Sequence, residues 1–237
     1  SVGRPMRNIF STLIFATSLV FLCGGNSFAA NFSKGLEAYD ARDFVTARRV
    51  WRELAEQGHE NAQMNLGLMY DYGKGVKKNH KKALRWYSRA AEQGHANAQK
   101  NLGAMYDKGK GVDQDYIEAA KWYRKAAEQG NADAQVRLGL MHAEGKGIKQ
   151  SYTEASKWYH KAADQMHAVA QFNLGNMYQN GKGTKQDQEE AAKWYRKAAE
   201  QGYTRAQLSL GLMYKKGAGV KQDYKEALKW HRKAAES

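Results

Sequence analysis

Apolar residues return at helical spacing along most of this chain, and the pattern itself repeats. Ala62, Leu66 and Tyr70 stand four residues apart with Met69 beside them, which marks one face of a first helix. A Gly-x-Gly pair follows, where glycine accepts the left-handed backbone that closes a helix. A second amphipathic segment comes next; in the copy that begins near Ala98 it carries Ala119, Trp122, Tyr123, Ala126 and Ala127. Large rings and small alanines at these positions can interlock between layers. The period is 36 residues: "NLGLMYDYGKGV", "NLGAMYDKGKGV", "RLGLMHAEGKGI", "NLGNMYQNGKGT" and "SLGLMYKKGAGV" align without insertion. Ala62, Ala98, Ala134, Ala170 and Ala206, each followed by Gln, carry the register of five units. A period in this range means a stacked array, in which each unit's apolar face is covered by its neighbour.

Punctuation within the period sharpens the picture. Asn79, Asp115, Ser151, Asp187 and Asp223 share one column, and all are preferred N-cap types. Three residues on, Glu118, Glu154, Glu190 and Glu226 predict capping-box pairs, with Lys82 the exception. Gly67, Gly103, Gly139, Gly175 and Gly211 fall in the middle of the first helix, where glycine costs about 1 kcal/mol relative to alanine. Their recurrence predicts close approach of the paired helix. Gly94, Gly130 and Gly202 end the second helix, while Met166 departs from that column and predicts a less well closed end. Trp51, Trp86, Trp122, Trp158, Trp194 and Trp230 read as packing residues rather than a ligand box. The decamer "KWYRKAAEQG", written at Lys121 and again at Lys193, follows from helices that must fit the same socket in each layer.

These residues carry a family resemblance. The pattern A-x-x-x-LG-x-x-Y-x-x-GKGV-x-x-D-x-x-x-A-x-x-WY-x-KAA-x-x-G resembles the Sel-one-like repeat family, relatives of the tetratricopeptide repeats, over residues 59–237. Residues 30–58 resemble a shorter tetratricopeptide-type hairpin through Tyr39, Asp43, Phe44 and Ala47, without the Gly-x-Gly loop. The resemblance implies an all-α fold: a right-handed α/α superhelical solenoid of stacked antiparallel helix pairs. For exported bacterial members it implies scaffold or adaptor roles in the envelope or at a host surface.

The first thirty residues change the setting. Arg4 and Arg7 precede an apolar run from Ile9 to Leu22, and Ser27-Phe28-Ala29 offers small residues for a signal peptidase. Residues 1–29 therefore read as a signal peptide, with the mature chain expected to begin near Ala30 and to be periplasmic or secreted. Residues 1–5 can lie upstream of the natural start, since Met6 makes an ordinary opening. The apolar run is short for a membrane span, so no mature transmembrane helix is expected. Cys23, the chain's one cysteine, lacks the preceding small residue of a lipoprotein signal, which argues against lipid anchoring. Removing two arginines and no acid takes the net charge from +14 to +12. Such a charge favours anionic partners, among them acidic proteins, envelope polymers and lipid headgroups, and export argues against nucleic acid.

Chemistry is harder to find. "GKGT" at residues 181–184 lacks the spacing and the preceding strand of a phosphate loop. His59, His95 and His167 share a column, but residues one layer apart cannot converge on one zinc ion. No cofactor or metal is expected. Lys121, Arg124, Lys125, Lys193, Arg196 and Lys197, with Lys229, Arg232 and Lys233, form a basic face on second helices. It reads first as a solvated surface partly neutralised by Glu128, Glu200 and Glu236, and second as an anion site.

The better recognition candidate is a first-helix stripe of Asn65, Asn101, Arg137, Asn173 and Ser209, with Tyr72, Lys108, Glu144, Asn180 and Lys216 two turns along. First helices line the concave groove of tetratricopeptide-like arrays, so the resemblance implies an extended peptide or protein partner here, and asparagine can both donate to and accept from its backbone. The favoured reading is a non-enzymatic interaction scaffold. The alternative is an envelope hydrolase or penicillin-binding protein of the β-lactamase-like repeat type, with Arg137, His142 and Glu144 marking the third unit as its most divergent layer. At the end of the array His231 replaces the tyrosine of Tyr87, Tyr123, Tyr159 and Tyr195, which suits either exposure to water or a docking surface.

Overall fold

The caps and the apolar spacing predict a helix pair per period, and a computed structural model describes residues 30–236 as such pairs. Among the described residues every regular element is helical. The chain divides into two units, residues 1–86 and 87–237. The signal-peptide reading and Cys23 lie outside the described residues.

In the first unit, α1 (residues 30–40) and α2 (Phe44–Glu56) form a hairpin closed by a short turn, with the Asp43 carboxylate accepting from the Thr46 N–H at 3.0 Å. Its turn has no Gly-x-Gly pair. Its core is aromatic: Trp51 is 1% exposed and meets Phe32 at 6.2 Å and Tyr39 at 5.5 Å between ring centroids. Trp51 occupies the tyrosine column of the repeat, one position from the column of the other five tryptophans, so the six do not share one environment. The unit continues through α3 (Glu60–Tyr72) into α4 (His80–Glu92).

The second unit holds α5 (Ala96–Lys108), α6 (Tyr116–Glu128), α7 (Ala132–Glu144), α8 (Tyr152–Asp164), α9 (Ala168–Asn180), α10 (Gln188–Glu200), α11 (Thr204–Lys216) and α12 (Tyr224–Ala235). The most extensive contacts pair α5 with α6, α7 with α8, α9 with α10 and α11 with α12. Each second helix then packs on the first helix of the next pair, so one core joins Tyr123, Ala126 and Ala127 of α6 to Ala134, Leu138 and Met141 of α7. The layered helix pairs are those of a helical-repeat solenoid.

Sterics explain the mid-helix glycines. A Cβ on Gly139 would stand 2.6 Å from the Tyr159 ring, and one on Gly175 would stand 2.5 Å from Tyr195. In α5, α7 and α9 this glycine is the floor on which the next helix lays its tyrosine ring. The Gly-x-Gly pair divides its labour. Gly145 closes α7 at φ 71°, whereas Gly147 sits where a Cβ would meet the Tyr116 carbonyl oxygen at 2.2 Å. The same close approach binds Gly183 to Tyr152 and Gly219 to Gln188, so the "GKGT" segment is a packing loop.

All five predicted N-caps form; Asp187, for example, accepts from the Glu190 N–H at 2.9 Å. The reciprocal half of the capping box does not. The cap's own N–H bonds a first-helix carbonyl, as Asp115 does to Tyr106 at 3.0 Å, and the glutamate turns instead to the lysine three residues on. The end of α8 also differs from expectation. Met166 keeps the bonds that glycine makes elsewhere, with its N–H on the Ala163 carbonyl at 2.9 Å, and reaches them at φ 62°. The helix end is closed, and the departure from glycine is carried as backbone strain.

Candidate functional site

The first-helix stripe is placed as follows. In the first unit Asn65 is half-buried and Tyr72 is 68% exposed. In the second unit Asn101, Asn173 and Ser209 are half-buried, while Arg137, Lys108, Glu144, Asn180 and Lys216 are exposed. Two of these are engaged locally: the Asn180 amide donates to the Asn176 carbonyl at 2.7 Å, and Glu144 pairs with Lys146 at 2.7 Å. The Asn173 amide nitrogen is buried with no hydrogen-bond partner among the described residues. A buried donor in that state costs about 1–3 kcal/mol relative to a bonded one.

The basic face is bound up in its own helices. Lys121, Lys193 and Lys229 pair with Glu118, Glu190 and Glu226, so the acids that neutralise these lysines are those of the capping column rather than Glu128, Glu200 and Glu236. Lys125 and Lys197 lie over the Trp122 and Trp194 rings at 4.1 and 3.9 Å. Such exposed cation–π contacts are worth about 0.5–1 kcal/mol each. Arg196 donates to the Tyr214 hydroxyl, and Arg124 is exposed. A crevice of about 480 Å³ beside α10 has both signs on its wall, Glu189, Glu190 and Glu200 against Lys193, Arg196 and Lys197.

Arg137, His142 and Glu144 do not form a cluster: no hydrogen bond or ion pair joins any two of them. His142 takes the place of the tyrosine found at Tyr106 and Tyr178, and burial holds its imidazole below the usual histidine range. His59 and His95 are helix N-caps, each accepting through Nδ1 from an N–H three residues on at 3.3 Å. His167 instead meets Asp133 of the preceding layer at 3.1 Å, a bond that lowers the Asp133 carboxyl further than Lys100 does. Among the described residues no group of three or more His, Cys, Asp or Glu could hold a metal ion. No described helix is long and apolar enough to cross a membrane.

What sequence reasoning missed is a buried glutamine ladder. Gln99, Gln135 and Gln171 are 3–4% exposed. Each amide donates to the carbonyl of the preceding second helix, Ala91, Ala127 or Ala163, at 3.1–3.3 Å. Each then accepts from the glutamine that ends the following helix, Gln129, Gln165 or Gln201, at 2.7–2.8 Å. One side chain therefore stitches three consecutive helices. The available signal was that Gln63, Gln99, Gln135, Gln171 and Gln207 never vary among five copies whose other polar positions do.

Known proteins share this design. A Sel1 repeat family model matches residues 61–95, 96–131, 132–167, 168–203 and 204–237. The structure of c5321, a protective antigen present in uropathogenic Escherichia coli strains, is similar at 37% identity and a TM-score of 0.87, over 93% of this chain and 48% of that one. A Sel1 repeat protein from Oxalobacter formigenes is 40% identical with a TM-score of 0.82, over 87% of this chain and 82% of the other. A sel1-like repeat-containing protein of Acanthamoeba polyphaga mimivirus is 53% identical over 36 residues, 15% of this chain and 7% of that protein. This chain thus spans about half of the antigen's length and a small part of the viral protein's. With five consecutive matches, a repeat unit whose glycines, caps and glutamines all serve interlayer packing, and full-fold likeness to a Sel1 repeat protein, the chain belongs to the Sel1 repeat family.

Proposed function

We propose that the chain is an exported, non-catalytic interaction scaffold that holds an extended segment of a protein partner along the first-helix stripe of its second unit. The observation that carries this reading is a division between the two helices of each pair. Second-helix lysines are spent on glutamates and tryptophans of their own helix, whereas Lys108, Arg137 and Lys216 of the first-helix stripe are exposed and form no ion pair among the described residues. Half-buried and exposed polar side chains of this kind can donate to and accept from an extended peptide backbone. Arrays of this kind spread binding energy over several layers. The relative described as a protective antigen supports a place in the envelope or outside the cell.

A photoreactive residue introduced at Asn180, exposed on the stripe, tests the reading against one at Arg124, exposed on a second helix. Exposed to envelope extract, the Asn180 probe should capture a defined protein that the Arg124 probe does not. Capture should disappear in an Asn101→Ala, Asn173→Ala background. Equal capture from both helices would overturn the stripe as the binding surface.

A further inference from the structure

The first unit has a crevice of about 350 Å³ between α2, α3 and the start of α4. Arg48, Lys77, Lys78 and Lys82 line it, together with Tyr70 and Asn79. No carboxylate contributes to the wall, and none of the four cations forms an ion pair among the described residues. Asp71 of α3 is engaged by His80 at 2.9 Å, and Lys82 has only the Tyr70 ring, 5.3 Å away. Four like charges around one cavity repel one another until an anion enters.

The repeat shows that packing does not ask for these cations. Lys78 stands where Gln114, Gln150, Gln186 and Gln222 each donate to a first-helix carbonyl at 2.7–2.9 Å. Lys82 stands where Glu118, Glu154, Glu190 and Glu226 each pair with a lysine. Arg48 is the fifth residue of its helix, where the other second helices carry Leu84, Ala120, Ser156, Ala192 and Leu228. Three columns that are amide, acid and uncharged elsewhere have all become cationic around one cavity.

We propose that this crevice is a binding site for a compact phosphoryl anion of about diphosphate size. Its volume falls at the lower end of small-ligand sites, which run from about 300 to 1,000 Å³. A guanidinium fork, three ammonium groups and a phenol supply more donors than one carboxylate can accept, whereas phosphoryl oxygens take several at once. The phosphoryl group can be free or carried on a lipid headgroup, because the recognition chemistry is the same.

Titration calorimetry of the full chain with inorganic pyrophosphate tests the site. The variant Lys78→Gln, Lys82→Glu installs residues that later repeats already hold, so it should fold. It should bind pyrophosphate at least about tenfold more weakly than wild type, as expected for losing charge-assisted donors and adding a like charge to the ligand. Lys34→Gln, Lys110→Glu changes net charge equally at exposed positions that do not line the crevice and should stay within about twofold. Vesicles of phosphatidylcholine with and without phosphatidic acid form a parallel arm. Vesicle capture in place of pyrophosphate binding, lost in the crevice variant alone, would assign the phosphoryl group to a lipid. Absence of both responses in wild type, or equal loss in the two variants, would overturn the proposal.

Discussion

The crevice under Tyr70 and the one under Tyr214 are the same construction, four 36-residue periods apart, with different charges. Val76 and Lys77 of the first become Val220 and Lys221 of the second, while Lys78, Asn79 and Lys82 become Gln222, Asp223 and Glu226. In the later crevice Gln222 and Glu226 are both at work, the amide on the Lys215 carbonyl at 2.9 Å and the carboxylate on Lys229 at 2.9 Å. There the wall is balanced, with Arg196 and Lys221 against Asp223 and Glu226. The difference separates two kinds of residue: those that make the crevice exist and those that decide what enters it.

The residues that make it exist should be the costliest to change. Gly219 has φ 66°, and a Cβ there would lie 2.0 Å from the Gln188 carbonyl oxygen, a backbone atom that cannot swing aside. Gly219→Ala should combine left-handed strain with overpacking, for a loss of about 3–5 kcal/mol. That corresponds to a melting temperature lowered by about 10 °C or more, read by circular dichroism. A loss no larger than that of an exposed loop substitution would show that the two crevices share sequence without sharing a rigid frame.

Below that in size stands the glutamine ladder. Gln135→Leu keeps volume but deprives Gln165 of the shorter of its two acceptors and the Ala127 carbonyl of one donor. The expected cost is about 1–2 kcal/mol, since a buried polar group left unmatched loses more than a bond is worth on average. Amide hydrogen exchange should accelerate at the ends of α6 and α8 first. Unchanged exchange there would deny the ladder its role between layers.

Much of this frame was legible before any coordinates. Helical spacing, the cap column and the mid-helix glycines each have one physical cause, and each cause leaves a residue type that few alternatives satisfy. The ladder was not, because a glutamine beside an alanine looks like surface until its partners, eight and thirty residues away, are known. The capping boxes were half legible: the caps form, but the glutamates serve lysines. The first-unit crevice escaped for a further reason. Lys82 was visible as an exception, yet Arg48 lies in a hairpin that the repeat pattern leaves out, and only folding brings it to the same wall. The stripe of Asn65, Asn101 and Asn173 rests on composition and position, since nothing about polar first-helix residues requires a partner until one amide is found unpaired.

Met166 offers a smaller test in the opposite direction, because here the frame can be improved. A glycine in the equivalent place has nothing within 4 Å of its missing Cβ at Gly94, Gly130 or Gly202, so space is not the constraint, and φ is. Met166→Gly should remove left-handed strain of about 1–2 kcal/mol per residue, less part of it returned as chain entropy. A net gain near 1 kcal/mol would raise the melting temperature by about 2–4 °C. No rise would mean that the side chain, 68% exposed, contributes contacts equal to the strain.

The smallest effect on stability is the one that separates frame from contents most cleanly. Lys82→Glu places in the first crevice the acid that every later repeat carries, three residues before Arg85 as Glu118 is before Lys121. An i, i+3 pair of this kind contributes about 0.2–0.5 kcal/mol, and a carboxylate in the first turn of α4 also favours the helix dipole. The cap itself is untouched, because Asn79 bonds the backbone N–H of residue 82 and not its side chain. The variant should therefore melt at or slightly above the wild-type temperature while losing its response to added pyrophosphate. A protein that improves in stability as it loses an anion has given up a function, since selection for packing alone would have kept the glutamate. If the substitution lowers stability instead, Lys82 belongs to the frame through its contact with the Tyr70 ring, and the cationic wall is a consequence of packing.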